Sequence, residues 1–592
     1  ARWQVSFFSK GGTREIGQAI IADEDGKVLE QWTGWQVAWS MARGYPGAFG
    51  RHVDALYIWL PLCLLFLLPF ARPPFTLLHL DLLVLLSFSV SLAFFNHAHI
   101  GASVPLAYPP LIYLLARMLW LLRRTGPGAR AGGRADRGAR GHAGAHADGQ
   151  AGRRAGGQSE PKPVRLLVPV PWLALGVMFL IGFRVALNVT DSNVIDVGYS
   201  GVIGAQKVVH GDRLYGGWPS DNEHGDTYGP VAYESYVPFE QVFGWSGTWD
   251  DLPAAHAAAI FFDLLALALL FWLGLKLRGP TLGVLLAYAW ASYPFTLFAL
   301  ESNSNDTLVA VFVLAALLCA SSTPARMAGR AGSGVFAALA GLTKLAPLAL
   351  APVLATHGTF GAGAAQAGTD GAGMAGPGIG DAGPDGAGAV DVAGGGRRDR
   401  SLVWRSRARG YAAFSIAFAA TAALVLVPAL THDSLHEIYV RTLEYQANRG
   451  SPFSVWGLYG WHTAETVVEA CAIVLAVALA VVPRRDDVVG LTAACAAILI
   501  ALQLGVEHWF YLYIPWFFGL AMLVLLDARL PARAPGHIPV RFAPGQAPLG
   551  AEPGEERASA EAWPGPPPWG PAPAGASGPA RLRLPSAAWP RT

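Results

Sequence analysis

Apolar runs of about 20 residues recur along this 592-residue sequence and constrain its fold more than any other feature. A helix of that length crosses the hydrocarbon core of a bilayer and satisfies its own backbone hydrogen bonds there. Charged residues make up 14% of the chain, against about 25% in soluble domains. The sequence therefore predicts an α-helical polytopic membrane protein.

The composition also limits the partners and cofactors. The net charge is +2, which gives no overall basic signal for nucleic acid. The most basic tract, residues 123–165, is rich in Gly, Ala and Arg without interleaved aromatic residues, so we predict a disordered cytoplasmic linker held by anionic lipid. All four cysteines lie within apolar runs, which favours packing over a disulfide framework or a metal site. We predict no cofactor and no metal ligand, although the acids of the longest loop leave a metal ion open.

The chain divides into segments by composition. Residues 1–52 alternate apolar and polar positions around an Asp25-Gly26 turn. We predict a small extracytoplasmic α+β domain there, which resembles a PepSY-like module or forms a simple cap on the membrane part. The sequence begins with Ala1 rather than Met, so we expect a preceding signal or anchor. The other segments are a three-helix membrane segment (53–122), the basic linker (123–165), a membrane module (166–527) containing a disordered linker (357–410), and a disordered Pro/Gly-rich tail (528–592).

Positive charges predict an orientation for the spans. If the basic linker lies in the cytoplasm, three polar loops lie outside: 184–253, 301–306 and 431–464. The run 333–355 disturbs this pattern if it crosses once, because the basic sequence RRDRSLVWRSRARG then lies outside. A break between Lys344 and Pro347 removes the conflict. We therefore predict about eleven spans plus a re-entrant helix pair, with Lys344 at the tip of the pair.

The outer loop 184–253 is the richest in candidate catalytic groups. Asp196 stands at the head of a predicted helix over residues 195–209, with Ser192 or Asn193 as its cap. A carboxylate in this place can act as a general base, or it can simply stabilise the helix dipole. Spacing alone does not separate it from four other acids of the loop: Asp191, Asp212, Asp221 and Asp226.

Lys344 is the most distinctive charge in the apolar part of the sequence. A charge in such a segment is costly and requires a partner. An anionic phosphate is one candidate, and a carboxylate, either Asp263 or Glu301, is the other. His256 and Asp263 are seven residues apart, a spacing that permits a structural pair on one helix face.

Aromatic and cationic residues of the outer loops are the candidate binding groups. The segment TYGPVAYESYVPF, with Tyr228 and Tyr233, can line a sugar or lipid groove or anchor the loop at the membrane interface. The loop 431–464 combines Gln446 and Arg449 with the run SPFSVWGLYGW. Cations, amides and aromatic rings suit phosphate and sugar recognition, although Arg449 can also extend to lipid headgroups. His508 lies at the last outer turn.

The order of five short motifs resembles that of a family of membrane enzymes. They are D-x-x-Y (Asp196, Tyr199), G-D-x-L-Y (211–215), Y-G-P-x-x-Y (Tyr228, Tyr233), K-x-x-P (Lys344, Pro347) and S-P-F-S-x-W-G (451–457). Together they are similar to motifs of the glycosyltransferases of the C superfamily. The nearest family is that of the polyprenol-phosphate-mannose-dependent mannosyltransferases, glycosyltransferase family 87. The resemblance covers residues 166–527.

This resemblance implies a reaction, a donor and a site. The donor is a polyprenyl-phosphate sugar, transfer inverts the anomeric centre without a metal ion, and the base is by position Asp196. The residues expected to bind the donor are Lys344, Arg449, Tyr199, Tyr228, Tyr233, Gln446 and His508. The acceptor is a glycan, lipid or protein hydroxyl on the extracytoplasmic face of a bacterial plasma membrane. The chain departs from the family in three additional spans, the N-terminal domain and the extra acids of its outer loop.

Two other classes of function stay open at this point. A secondary transporter carries paired broken segments in repeated halves, whereas the sequence indicates one break. A membrane scaffold or sensor would use the N-terminal domain to bind partners.

Overall fold

The computed structural model describes residues 2–10, 15–44, 50–71, 75–123, 166–322, 327–357, 395–482, 487–527 and 529, the side chains of 395–406 excepted. Residues 1–533 belong to one compact unit. Most of the predicted tail and of the two predicted disordered linkers lies outside the described residues. Residues 395–410 of the second linker belong to a helix, which corrects the prediction of disorder there.

The N-terminal segment begins with a three-stranded antiparallel sheet in the order β1-β2-β3. Residues alternate between its faces, and Ala19 of the central strand pairs with Val5 on one side and Gln31 on the other. Gly26 has a φ of 67°, which suits it to the turn before β3. The strands are β1 (Arg2–Phe8), β2 (Glu15–Ala22) and β3 (Val28–Thr33), followed by helix α1 (Trp35–Ala38) and a 3₁₀ turn (Ser40–Arg43). The predicted strands and turn are present, while the PepSY-like resemblance stays a prediction.

The remaining described elements are helical. The first group consists of α2 (Leu56–Leu67), α3 (Leu77–Asn96), α4 (Ile100–Leu106), α5 (Tyr108–Arg123), α6 (Val170–Asp191), α7 (Asp196–His210), α8 (Val231–Glu234), α9 (Val237–Phe243) and α10 (Pro253–Arg278). The second group consists of α11 (Pro280–Ser292), α12 (Pro294–Glu301), α13 (Asp306–Ala320), α14 (Met327–Thr343), α15 (Ala351–Ala355), α16 (Gly395–Leu430), α17 (Leu435–Tyr439), α18 (Tyr445–Asn448), α19 (Val455–Tyr459), α20 (His462–Val481), α21 (Val488–Gly505) and α22 (Ile514–Asp527).

Seven of the described helices are long and apolar enough to cross a membrane. The pair α11 and α12 is bent by 58° and raises the number to 8 if it forms one broken span. The described residues also form four shorter apolar helices, and the third of them lies in the predicted re-entrant pair: Leu56–Phe70, Asp306–Ala320, Ala346–Ala355 and Tyr511–Asp527. The chain is therefore a multi-pass helical membrane protein, and the number of about eleven spans stays a prediction.

The chain breaks and folds back at Lys344. Helix α14 ends at Thr343, and a 3₁₀ turn (Ala346–Leu350) leads into α15. Near the start of α14, the buried Arg330 donates through Nη1 to the carbonyl of Ala355 at 3.2 Å. The beginning and the end of this segment therefore lie side by side, with Lys344 at the far end of a hairpin.

Buried ion pairs join the apolar helices. Arg117 on α5 binds Asp81 on α3 at 2.8 Å, and Arg184 on α6 binds Asp263 on α10 at 2.6 Å. Breaking one partner of such a pair leaves an uncompensated charge in a medium of low dielectric constant, so each pair specifies which helices are neighbours. The predicted pairing of His256 with Asp263 is wrong, because Arg184 and the indole of Trp290 occupy the Asp263 carboxylate.

Candidate functional site

Asp196 is the first residue of helix α7, as predicted. The residue before it, Ile195, is the N-cap, and its backbone N–H donates to the carbonyl of Ser302 at 3.2 Å. One turn later, Gly198 allows the helix to approach that loop, because a Cβ there would lie 2.2 Å from the carbonyl oxygen of Asn303. The start of α7 is therefore fixed against the loop that precedes α13.

The expected side-chain cap is wrong. No side chain caps α7 in the structure. The hydroxyl of Ser192 donates to the carbonyl of Asn188, and the Asn193 amide oxygen accepts from Arg51 at 3.1 Å. The first N–H groups of α7 consequently remain close to the Asp196 carboxylate, and the N–H of Val197 helps to hold its charge.

Opposing influences act on the Asp196 carboxyl group. Its side chain is accessible from the cavity that it lines, although many protein atoms lie around it. Burial raises the pKa of Asp196 above its usual value, and the nearby cations Arg449 and Lys344 act in the opposite direction. A carboxylate with a raised pKa is a stronger base once it is ionised, which suits a residue that must accept a proton.

Lys344 is held by a carboxylate and three aromatic rings. Its Nζ lies 2.5 Å from Oδ1 of Asp306, whose side chain is only 1% exposed. The ammonium also faces the rings of Tyr228 at 5.3 Å, Tyr513 at 5.4 Å and Trp516 at 5.6 Å. The carboxylate partner is thus neither Asp263 nor Glu301, which corrects both candidates named from the sequence. The sequence did not predict Asp306 as the partner, and it did not single out Tyr513 or Trp516.

Arg449 stacks on the N-terminal segment rather than extending to headgroups. Its guanidinium lies 4.7 Å from the ring centre of Trp39, between α1 and the following 3₁₀ turn. The same indole contacts the ring of His508 at 5.4 Å and that of Phe453 at 5.5 Å. Trp39 was missed in the sequence. The available signal was the recurrence of tryptophan at positions 32, 35 and 39, which marks an aromatic face.

His508 is a neutral neighbour of these cations. Its Nδ1 lies 2.9 Å from the hydroxyl of Ser451. Burial, together with Arg449 and Lys344, holds the pKa of His508 well below its usual range. His508 can therefore offer a hydrogen bond without adding charge to the site.

The consecutive residues 448–450 line two separate cavities. The first, the lysine cavity, measures about 710 Å³ and is lined by Lys344, Tyr228, Gln446 and His508 among others. The second, the aspartate cavity, measures about 600 Å³ and is lined by Asp196, Arg449 and Trp39 among others. Asn448 and Gly450 face the lysine cavity while Arg449 faces the aspartate cavity. The predicted residues Lys344, Arg449, Tyr228, Gln446, His508 and Asp196 thus line two neighbouring spaces.

Tyr199 and Tyr233 are packed inside the outer loop, so their predicted contact with the donor stays a prediction. Tyr233 is fully buried, and its hydroxyl donates to the carbonyl of Gly225 at 2.8 Å. Tyr199 is also buried, and its ring packs on that of Trp249 at 4.9 Å. Both side chains brace the outer loop and line neither cavity.

Three other acids of the loop have side-chain or backbone partners among the described residues. Asp191 lies 2.6 Å from Nδ1 of His52, and Asp226 accepts from the N–H of Gly216 at 2.8 Å. Asp226 also binds Arg441 at 3.3 Å, and Asp221 accepts from the hydroxyl of Tyr199 at 3.3 Å. These contacts give Asp191, Asp221 and Asp226 structural functions and leave Asp196 as the stronger candidate for a base.

One group of side chains has the spacing of a metal site. His462, Glu465 and Glu507 each offer a ligand atom, and these atoms all lie within 4.8 Å of one another. All three residues line the lysine cavity. The donor set of one imidazole and two carboxylates would suit zinc or manganese. The sequence prediction of a site without metal stays a prediction.

Comparisons with known proteins give little similarity. No family model matches the chain, and no curated protein sequence matches it. A solved structure, ArnT from Cupriavidus metallidurans bound to undecaprenyl phosphate, is similar with a TM-score of 0.38 and 16% sequence identity. The match covers 61% of this chain and 59% of ArnT. A likeness at this level does not define the family or the fold.

Proposed function

We propose that this chain is a membrane glycosyltransferase of the C superfamily. It moves a mannose-like sugar from a polyprenyl-phosphate donor to an acceptor hydroxyl on the extracytoplasmic face. The observation that carries the proposal is the pair of cavities lined by the consecutive residues 448–450, with Lys344 in one and both Asp196 and Arg449 in the other. Transfer from a lipid phosphate requires both charges near the reacting carbon.

The lysine cavity suits the donor. Lys344 supplies a positive charge at the end of a hairpin in the apolar region, where a lipid-linked phosphate can reach it. Its ammonium has three donor positions, so a phosphate oxygen can bind while the contact with Asp306 persists. Gln446, His508 and the ring of Tyr228 provide amide, imidazole and aromatic surfaces for the sugar.

The reaction needs no group beyond these residues. The bond between the anomeric carbon and the phosphate oxygen breaks, and the electron pair leaves with the polyprenyl phosphate. The acceptor oxygen forms the new bond from the opposite face and inverts the anomeric centre. Its proton passes to the Asp196 carboxylate. Lys344 and Arg449 stabilise the negative charge that grows on the phosphate, which lowers the barrier more than it tightens donor binding.

The bend between α11 and α12 favours a secondary transporter as a second candidate. It gives the chain another broken helix pair besides the hairpin at Lys344. Paired breaks are typical of transporters. Tyr293, at the bend, is nevertheless fully buried and stacks on Phe518 at 4.0 Å, so this break is filled with aromatic side chains.

Turnover of a labelled donor separates the two functions. We expect membranes with the wild-type chain to release polyprenyl phosphate from radiolabelled polyprenyl-phosphate mannose and to transfer the label to an acceptor. Asp196→Asn should lower transfer by about 10²-fold or more, since general-base catalysis contributes 10²–10⁴-fold. Asp212→Asn, the same change at an exposed acid of the same loop, should have no effect. Equal transfer by wild type and Asp196→Asn would contradict the proposal.

A further inference from the structure

The N-terminal segment forms one wall of the aspartate cavity. Residues 38–41 and Arg51 line it opposite Asp196. Two polar contacts attach this segment to the outer loop, since Arg51 donates through Nε to Asn193 at 3.1 Å and His52 contacts Asp191 at 2.6 Å. The cavity is therefore complete only when the N-terminal segment is in place.

Close packing also attaches the N-terminal segment to α12 next to this wall. Gly50 has a φ of 107°, and a Cβ at this position would lie 2.5 Å from the Cβ of Glu301. Only glycine allows such an approach in this backbone conformation. A pre-formed wall lowers the conformational entropy that a ligand must overcome to bind.

Trp249 provides a flat apolar surface in the same cavity. Its ring packs on Tyr199, and its indole N–H donates to the carbonyl of Val194 at 3.1 Å. The side chain is nevertheless 42% exposed, so part of its surface stays open to a ligand. The orientation of the indole is thus fixed before anything binds.

Polar groups line the same cavity as this aromatic surface. They are Asp250, Asp251, Arg51 and Asn193, and the cavity of about 600 Å³ falls in the size range of small-molecule sites. A sugar ring presents apolar C–H groups on its faces and hydroxyl groups at its edge. An indole in one cavity with carboxylates, an amide and a guanidinium matches that pattern, whereas these charged groups disfavour an acyl chain.

We propose that the aspartate cavity binds the acceptor as a carbohydrate whose sugar ring packs on Trp249, with the N-terminal segment as the second wall of the subsite. The assignment to the acceptor rests on the proposed function, because Asp196 must reach the attacking hydroxyl. Trp249 and Arg51 are then binding residues that touch the acceptor and not the donor.

Saturation-transfer NMR on the full chain in lipid nanodiscs tests the carbohydrate site directly. The probes are linear trisaccharides of mannose, glucose and galactose. We expect at least one of them to bind the wild type, and Trp249→Ala to weaken that binding about tenfold, a loss typical of an aromatic contact. Trp249→Phe should retain most of the affinity. Trp272→Ala, at a 53% exposed tryptophan on α10, is the matched control and should bind as the wild type does.

A second variant tests whether the N-terminal segment contributes to the carbohydrate site. Arg51→Ala should also weaken trisaccharide binding, while Arg2→Ala on β1, outside the cavity, should not. Binding of no trisaccharide by the wild type, or equal binding by wild type and Trp249→Ala, would overturn the proposal. Donor turnover without trisaccharide binding would contradict the proposed acceptor subsite but not the proposed transferase activity. Trisaccharide binding without donor turnover would support the carbohydrate site and contradict the proposed transferase activity.

Discussion

The guanidinium of Arg449 lies 4.7 Å from the ring centre of Trp39, so a residue of the N-terminal segment supports a cation of the central cavities. The two residues are 410 positions apart in the sequence. The contact is one of several that join the N-terminal segment to the helices. It also makes the arginine sensitive to changes far from the outer loop that carries it.

Removal of Trp39 should therefore impair transfer through Arg449. A cation–π contact contributes about 0.5–2 kcal/mol, so we expect Trp39→Ala to lower kcat by about threefold to thirtyfold. Trp39→Phe keeps an aromatic ring and should lose less. Trp3→Ala on the exposed sheet is the control and should match the wild type. Equal kcat values for Trp39→Ala and wild type would show that the contact between Trp39 and Arg449 does not affect catalysis.

Variants of Lys344 and Asp306 should show different effects on thermal stability and on transfer activity. Lys344→Met leaves the buried Asp306 carboxylate uncompensated, and the loss of one partner from such a pair costs about 3–5 kcal/mol. The double change Lys344→Met with Asp306→Asn removes both charges, so we expect thermal stability near that of the wild type. Transfer by the double variant should still fall by about 10²-fold or more, because the charge that stabilises the leaving phosphate is gone. Wild-type transfer rates in the stable double variant would exclude Lys344 from the mechanism.

The pH dependence of transfer should report Asp196. Burial raises the pKa of Asp196, and the positive charge of Arg449 acts against this effect by lowering it. The base is active when ionised, so transfer should rise with pH through a value above the usual range of aspartate. Arg449→Gln removes one of the lowering influences, and the acid limb of the profile should move to higher pH. An acid limb that stays in place in Arg449→Gln would mean that another group titrates.

Chelation should leave transfer unchanged. Lys344 and Arg449 provide the positive charge that the departing phosphate needs, so the proposed mechanism has no step for a metal ion. We expect full transfer after treatment with EDTA, and the same result in His462→Ala, which removes one of the three possible ligands. A loss of transfer that manganese or zinc restores in the wild type, but not in His462→Ala, would place a metal ion in the lysine cavity.

Local sequence patterns predicted the elements that carry the site. The start of α7 at Asp196 and the break at Lys344 were both foreseen, because apolar periodicity and a nearby proline act over a few residues. Side-chain partners were not foreseen. Asp306 emerged as the partner of Lys344, and Arg184 as the partner of Asp263, because such choices depend on which helices become neighbours.

The roles of the aromatic residues were also hard to predict from local sequence. Tyr199 and Tyr233 fit the pattern of a binding groove, but the fold buries both within the outer loop. Trp39 and Trp249 line the aspartate cavity. The recurrence of tryptophan at 32, 35 and 39 marks an aromatic face, but it does not show whether that face borders a cavity or the membrane interface. Burial depends on the folded chain. Composition alone therefore cannot show which aromatic residues pack in the core and which line a binding site.

The central claim is that Lys344 and Asp196 serve one reacting centre from two cavities. Electron cryo-microscopy of the Asp196→Asn protein with bound polyprenyl-phosphate mannose tests it most directly. The account predicts a donor phosphate within hydrogen-bonding distance of Lys344 Nζ, with the anomeric carbon facing residue 196 past Arg449. A donor bound outside the lysine cavity, or a sugar directed away from residue 196, would contradict it.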